Sequence, residues 1–293
     1  MRQGVLMAAP FDATNLELTG GPVGMVAGVI QASNMGFSTF DSGAGQFAVS
    51  RTGTLAYAAG APMTDPEFSL VWVARNGEKV TPLTTPVGYY LGPRLSPDGR
   101  RIAVATFSGD TAKRNVWIHD IARRTFSPLT TTGDVGMPVW TPDSERLVFP
   151  SGGAFSGILS WMKADGTGKL ERLSKSESGQ HPSSISRRGN VLAFVERGDI
   201  WSLVLDGQSV PKPFTSSPAF EGFPDFSPNG RYIAYTSTET GRPEVFIQPF
   251  PGPGAKRPVS NGGGQAPVWR SDGLELFYQS PHFGPPRKEN RSG

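Results

Sequence analysis

Short apolar runs separated by turn-forming residues recur along this chain at nearly constant spacing. The clearest marker is Ser96-Pro97-Asp98-Gly99, followed by the strand-like Arg101-Ile-Ala-Val-Ala105. Variants stand at Ser50-Arg-Thr-Gly53, Thr141-Pro-Asp-Ser144, Ser186-Arg-Arg-Gly189, Ser227-Pro-Asn-Gly230 and Arg270-Ser-Asp-Gly273, spaced 46, 45, 45, 41 and 43 residues apart. Proline presets φ for the second position of a type I turn, Asp or Asn tolerates the third, and glycine takes the left-handed position that closes the hairpin. Each marker leads into an apolar strand: Leu55-Ala-Tyr57, Leu147-Val-Phe149, Val191-Leu-Ala-Phe194, Tyr232-Ile-Ala-Tyr235 and Leu274-Glu-Leu-Phe277. A second hairpin follows, and its leading strand carries Trp72, Trp117, Trp161 or Trp201, with Phe246 in the matching place. Its last strand ends in Pro82-Leu-Thr84, Pro128-Leu-Thr130, Arg172-Leu-Ser174 or Pro213-Phe-Thr215.

Four short strands and one large aromatic per ~40–45 residues are the pattern of propeller blades. A solenoid of helix pairs shares the period but needs 3.6-residue periodicity and tolerates this many prolines poorly. The chain therefore reads as all-β, a six-bladed β-propeller of four-stranded antiparallel blades. The aromatic of one blade is expected to fill the gap against the next. Residues 1–30 hold a second-type hairpin without a first, and the C-terminal region holds a first-type hairpin without a second. The N-terminal and C-terminal strands should thus share one blade and close the ring. Residues 1–279 are expected to form a single domain and residues 280–293 a disordered tail.

Composition agrees with a turn-rich all-β chain: 37 glycines, 27 prolines and only 18% charged residues, below the ~25% usual for soluble domains. The formal charge of +3 is spread along the chain without a basic stripe, which argues against nucleic acid as a partner. The absence of cysteine excludes disulfides, thiolate chemistry and Cys-type zinc sites. No run of 18 apolar residues encodes a transmembrane helix, and the apolar run after Arg2 is too short for a secretory signal. The compartment stays open, and a monomer is the expected state.

No complete active site is legible. No Gly-x-Ser-x-Gly elbow occurs, nor a Gly-rich phosphate loop, His-Arg-Asp or Asp-Phe-Gly set. Ser160-Trp-Met-Lys163 matches a Ser-x-x-Lys pattern, but on a blade strand rather than the helix that chemistry requires. Gly166-Thr-Gly-Lys169 reads as a hairpin turn. The three histidines, 119, 181 and 282, lack metal-ligand spacing, so neither metal nor cofactor is expected. His119, beside Asp120 at a strand end, reads as a solvated imidazole. The innermost strands should be those entering each marker turn, and the loops feeding them should ring the channel. Tyr89, Tyr90, Asp134, His181, Glu221 and Gln265 are the candidate binding residues on that face. Pro93-Arg-Leu95 and Pro224-Asp-Phe226 place one Arg and one Asp on the inner strands, too few for a metal site.

The Ser-Pro-Asp-Gly hairpins and Trp-bearing strands resemble TolB-type, WD-repeat-like propeller repeats over nearly the whole chain. Ala9-Pro-Phe-Asp12, Gln46-Phe-Ala-Val-Ser50 and Gly241-Arg-Pro-Glu-Val-Phe-Ile-Gln-Pro-Phe-Pro-Gly-Pro-Gly254 are closer still to the propeller that follows the kinase domain in bacterial eukaryotic-like serine/threonine kinases. That resemblance implies a non-catalytic binding module, a sensor or scaffold for a protein, a peptide or a small ligand, with any kinase activity and membrane segment on a separate part. The alternative is the substrate-gating propeller of a prolyl-oligopeptidase-type peptidase whose hydrolase domain is missing.

Overall fold

The computed structural model describes residues 4–29, 47–50, 53–59, 69–74, 78–83, 85, 90–107, 114–153 and 156–280. Chain order begins with β1 (Gly4–Asp12), β2 (Glu17–Leu18) and β3 (Val23–Val29). Blade I is β4 (Phe47–Val49), β5 (Leu55–Ala59), β6 (Ser69–Val73) and β7 (Lys79–Pro82); blade II is β8 (Tyr90–Leu95), β9 (Arg101–Phe107), β10 (Arg114–Asp120) and β11 (Thr125–Pro128). Blade III is β12 (Val139–Trp140), β13 (Arg146–Ser151), β14 (Ile158–Lys163) and β15 (Glu171–Arg172); blade IV is β16 (Gln180–Ser186), β17 (Val191–Glu196), β18 (Asp199–Val204) and β19 (Lys212–Pro213). Blade V is β20 (Glu221–Phe226), β21 (Tyr232–Ser237), β22 (Glu244–Pro249) and β23 (Arg257–Pro258). The remaining strands are β24 (Gln265–Trp269) and β25 (Glu275–Ser280). Every pairing between neighbouring strands of these blades is antiparallel.

The marker turns explain the regularity. Ser96 Oγ accepts from Arg101 N at 2.9 Å and donates to Asp98 Oδ1 at 2.5 Å, which also accepts from Arg100 N at 3.0 Å. Thr141 with Asp143, and Ser227 with Asn229, repeat this wiring. The hydroxyl and the Asx side chain together satisfy the amides that the tight turn leaves open. Gly99 sits at φ 73°, whereas Ser144 holds the equivalent place at φ 63°. A side chain persists there because Ser144 Oγ accepts from Asp98 N at 3.1 Å and its carbonyl accepts from Arg101 Nη2 at 2.5 Å. One turn is thereby tied to the turn of the preceding blade. The Thr or Ser just after the outer strand of blades II, IV and V has a parallel duty: Thr130 Oγ1, Thr215 Oγ1 and Ser260 Oγ accept from Val116, Ile200 and Val245 N at 2.9, 2.8 and 2.8 Å.

Ring closure follows the expected plan. β25 pairs with β1 from Val5↔Ser280 to Pro10↔Glu275, and β1 pairs with β2, so blade VI is β24, β25, β1 and β2. β3 is an addition: it runs along the other edge of β1 and reaches blade I at Val29↔Ala59, stitching blades VI and I into one sheet. Six apolar clusters then fall one to each interface between neighbouring blades, from Leu6, Phe277, Phe47 and Val71 between VI and I to Trp269, Leu276, Val245 and Ile247 between V and VI. Ser280 closes β25, and the rest of the expected tail lies outside the described residues.

The wedge between blades differs from expectation. Trp72, Trp117, Trp161 and Trp201 pack on the interface clusters but are only partly buried. Trp117 stacks on Phe126 at 4.9 Å, and Arg146 covers the Trp161 ring at 4.1 Å while its Nε1 donates to Glu171 Oε2. The enclosed rings are instead Phe149, Phe194 and Tyr235 on the second strands, at most 1% exposed. A second strand has a sheet neighbour on each side and a blade over each face, whereas the third lies nearer the rim.

Candidate functional site

Prolines 93, 138, 182, 224 and 267 recur in or just before the first strands of blades II to VI. Proline cannot donate to a ladder and marks an edge, and the edge here faces the channel. Four of these strands also carry a bulge: between Leu91 and Arg94, Pro182 and Ser184, Gly222 and Asp225, and Gln265 and Val268. Gly92, Phe223 and Ala266 take left-handed φ values of 56°, 54° and 52° within three of them. Bulges re-aim the side chains that follow, here Arg94 and Asp225.

At the marker-turn end the channel widens into a chamber of about 740 Å³. Val49, Leu95, Ile185, Phe226, Val268 and Trp269 give it apolar walls, and Asp225, Asp98 and Arg187 are among its polar groups. Such a volume lies within the ~300–1,000 Å³ of ligand pockets. Asp225 Oδ2 accepts from Trp269 N at 2.7 Å. Desolvation nonetheless raises its pKa from 3.8 to about 6, the Trp269 amide and the charge of Arg94 only partly opposing it. Arg94 belongs to blade II and Asp225 to blade V, opposite positions in a ring of six. Desolvation lowers the pKa of Arg94, the charge of Asp225 opposes this, and Nε of Arg94 is shut off from solvent without a hydrogen-bond partner. Its carbonyl accepts from Trp140 Nε1 at 2.9 Å, which fixes the backbone from which the guanidinium projects.

The five described sequence candidates lie at the other mouth, since β8 alone separates Tyr90 from Leu95 by ~16 Å at ~3.3 Å per residue. Tyr89 is outside the described residues. Tyr90 is 3% exposed and meets Phe126 edge-on at 6.0 Å, with its phenol pKa raised by burial. Asp134 is exposed at φ 58°, and its carboxylate acts on Arg114. His181 is half-buried, and desolvation together with the Arg114 charge lowers its pKa. Glu221 is buried; its Oε1 accepts from Ser217 Oγ at 3.1 Å and its Oε2 has no partner. Gln265 donates to Gln279 Oε1 at 3.3 Å. Asp134 and His181 thus gather around Arg114, which no motif in the sequence singled out, while Tyr90 and Glu221 belong to the walls.

Two readings of single residues also resolve. Ser160 is fully buried and shares a 2.7 Å hydrogen bond with Ser151 Oγ, so the Ser-x-x-Lys match is a piece of sheet. His119 is 1% exposed rather than solvated, because β10 lies between two strands and Phe126 covers its ring; burial lowers its pKa. Among the described residues no group of three His, Asp or Glu side chains gathers to hold a metal ion. None of them forms a helix long and apolar enough to cross a membrane.

No protein-family model matches the chain. A tricorn protease homolog of Streptomyces coelicolor is 42% identical over 76 residues, 26% of this chain and 6% of that protein. The Tol-Pal system protein TolB of Alcanivorax borkumensis is 30% identical over 81 residues, 27% of this chain and 18% of that protein. The matched stretches therefore span a small part of either relative. Among solved structures, a TolB-type chain from Agrobacterium tumefaciens superposes with a TM-score of 0.73 at 18% identity, covering 96% of this chain and 99% of that one. The tricorn protease superposes at 0.56 with 14% identity, covering 73% and 22%. The fold is that of a TolB-like six-bladed β-propeller.

Proposed function

We propose that this chain is a non-catalytic binding module that receives a protein segment, a peptide or a small ligand in its channel. The observation that carries this reading is the chamber at the marker-turn end, large enough for a ligand and walled by both apolar and charged groups. Asp134, His181 and Gln265 frame the opposite mouth, supported by Tyr90 and Glu221. The strings that resemble kinase-associated propellers support a place beside a serine/threonine kinase domain. The tricorn relatives support the alternative, a propeller that gates substrate entry to a peptidase domain. In both arrangements the chemistry belongs to another domain.

Ligand-observed NMR with a panel of hexapeptides, dipeptides, small acids and amines tests the module. Hits should compete for one site, perturb the emission of Trp72 and Trp269 on the chamber wall, and be recovered unchanged. The purified chain should turn over neither ATP nor peptide esters. Turnover that vanishes with a single chamber substitution would overturn the reading in favour of an enzyme.

A further inference from the structure

The residues just before five of the marker turns, Val49, Leu95, Ile185, Phe226 and Trp269, form an apolar collar on the chamber wall. Of the residues one position deeper along the first strands, Asp225 and Val268 reach the chamber. The charged residues on the turns above, Asp98 and Arg187, are exposed and opposite in sign, so Asp225 sets the sign of the interior. Its Oδ2 is committed to Trp269 N, whereas Oδ1 has no hydrogen-bond partner and is not sealed from solvent, the residue being only partly buried. Arg94 acts on the carboxylate through space without a direct ion pair and stands outside the chamber lining. That distant charge and the Trp269 amide offset only part of the desolvation. A carboxylate so placed favours a cation in contact with it. A guanidinium fork uses both carboxylate oxygens, but an ammonium is a compact charge that one free oxygen serves. A metal ion would need several such ligands together, and among the described residues no group of three His, Asp or Glu side chains gathers.

On the binding-module reading above, we propose that the chamber recognises a primary ammonium carried on an apolar body, with Asp225 Oδ1 accepting from the ammonium and the collar holding the body. Two sources share that chemistry: a small free amine, and the N-terminus of a polypeptide that begins with an apolar residue.

Calorimetric titration of the full chain at pH 7 with four probes separates them: 2-phenylethylamine, 2-phenylethanol, and Phe-Ala-Ala-amide with a free or an acetylated N-terminus. At least one amine should bind tenfold or more tightly than its neutral counterpart, the effect of one charge-assisted hydrogen bond. A preference confined to the peptide assigns the polypeptide source, and one confined to phenylethylamine assigns the free amine. Asp225→Asn keeps an acceptor for Trp269 N and should abolish the preference while leaving the weak binding of the neutral probe in place. Asp98→Asn keeps the turn acceptor that Asn229 supplies in blade V, removes a charge at the rim, and should change the preference less than twofold. A preference lost in Asp98→Asn and retained in Asp225→Asn overturns the placement at Asp225. Equal affinity for amine and neutral probe overturns the ammonium assignment while the module reading survives. Binding by none of the four overturns the assignment as well, and the wider ligand panel then decides the module. If Asp225→Asn does not fold, the amine–alcohol comparison on the natural chain and the Asp98→Asn titration still decide.

Discussion

Replacing Asp225 by Asn exchanges a carboxylate that the channel disfavours in its charged form for a neutral group of the same shape. In the folded chain desolvation outweighs the Trp269 amide and the Arg94 charge, so the pKa stands at about 6 against 3.8 in the unfolded chain. Between those values the folded state binds more protons than the unfolded one. The unfolding free energy therefore falls as pH rises through the window. The contribution is fully present below pH ~4 and lost above pH ~6. Two units at ~1.4 kcal/mol each amount to ~3 kcal/mol. Urea unfolding of both proteins, followed by tryptophan emission at pH 4 and pH 8, reads this directly. The stability of Asp225→Asn minus that of the natural chain should be ~3 kcal/mol larger at pH 8 than at pH 4, whatever constant offset the amide adds. Carboxylates with lowered pKa values, such as Asp12 and Asp206, weaken both proteins alike in acid and cancel in the difference. A difference that stays flat with pH, or that grows toward acid, would show that Asp225 ionises freely and that the channel does not desolvate it.

Two further outcomes test the ring. Trp140→Ala and Trp269→Ala remove side chains 5% and 6% exposed and should each cost ~3–5 kcal/mol in urea unfolding. Trp117→Ala and Trp201→Ala should cost less, and equal costs would return the rim tryptophans to the role of wedges. Deleting residues 1–22 removes β1 and β2 and leaves the β25 edge without its partner. The product should aggregate or lose its cooperative transition, and a soluble, cooperatively folding monomer would refute closure through the shared blade.

The features legible in the sequence are those whose causes are local. A marker turn is a few residues of proline, Asx and glycine chemistry, so its copies announce the hairpins, and counting half-blades at the two ends announces the closure. Radial position is different. Phe149 and Trp161 both read as aromatic strand residues, yet one is enclosed on all sides and the other reaches the rim, a distinction set by blade neighbours rather than by the strand itself. The placement of β3, of which the sequence marked only the end at Gly28-Val-Ile30 as a strand of the N-terminal hairpin, escaped for a similar reason. Its stretch Val23–Val29 gains partners only because β1 is already fixed against β25, after which its free edge leads on to blade I.

The cross-channel charges were visible as residues but not as a pair. Ala48, Arg94, Val139, Ser184, Asp225 and Val268 each stand two residues before a marker turn and face the second strand in the same register. In four blades that position is small or apolar, which is what close packing at a narrow axis requires. Ser184 shows its ordinary use, accepting from Phe226 N at 3.1 Å and donating to the Pro224 carbonyl at 3.0 Å to join two inner strands. Asp225 does the same for Trp269 N, so part of its presence is structural. Arg94 joins no neighbouring strand through its Nε, which meets no acceptor. Desolvating a cation at a position where alanine or valine would pack destabilises the fold, and the charge of Asp225 opposes that cost only in part. At one position of a repeat that otherwise favours small residues, Arg94 and Asp225 thus act on each other across the channel, a coupling between opposite blades that no single stretch of strand announces.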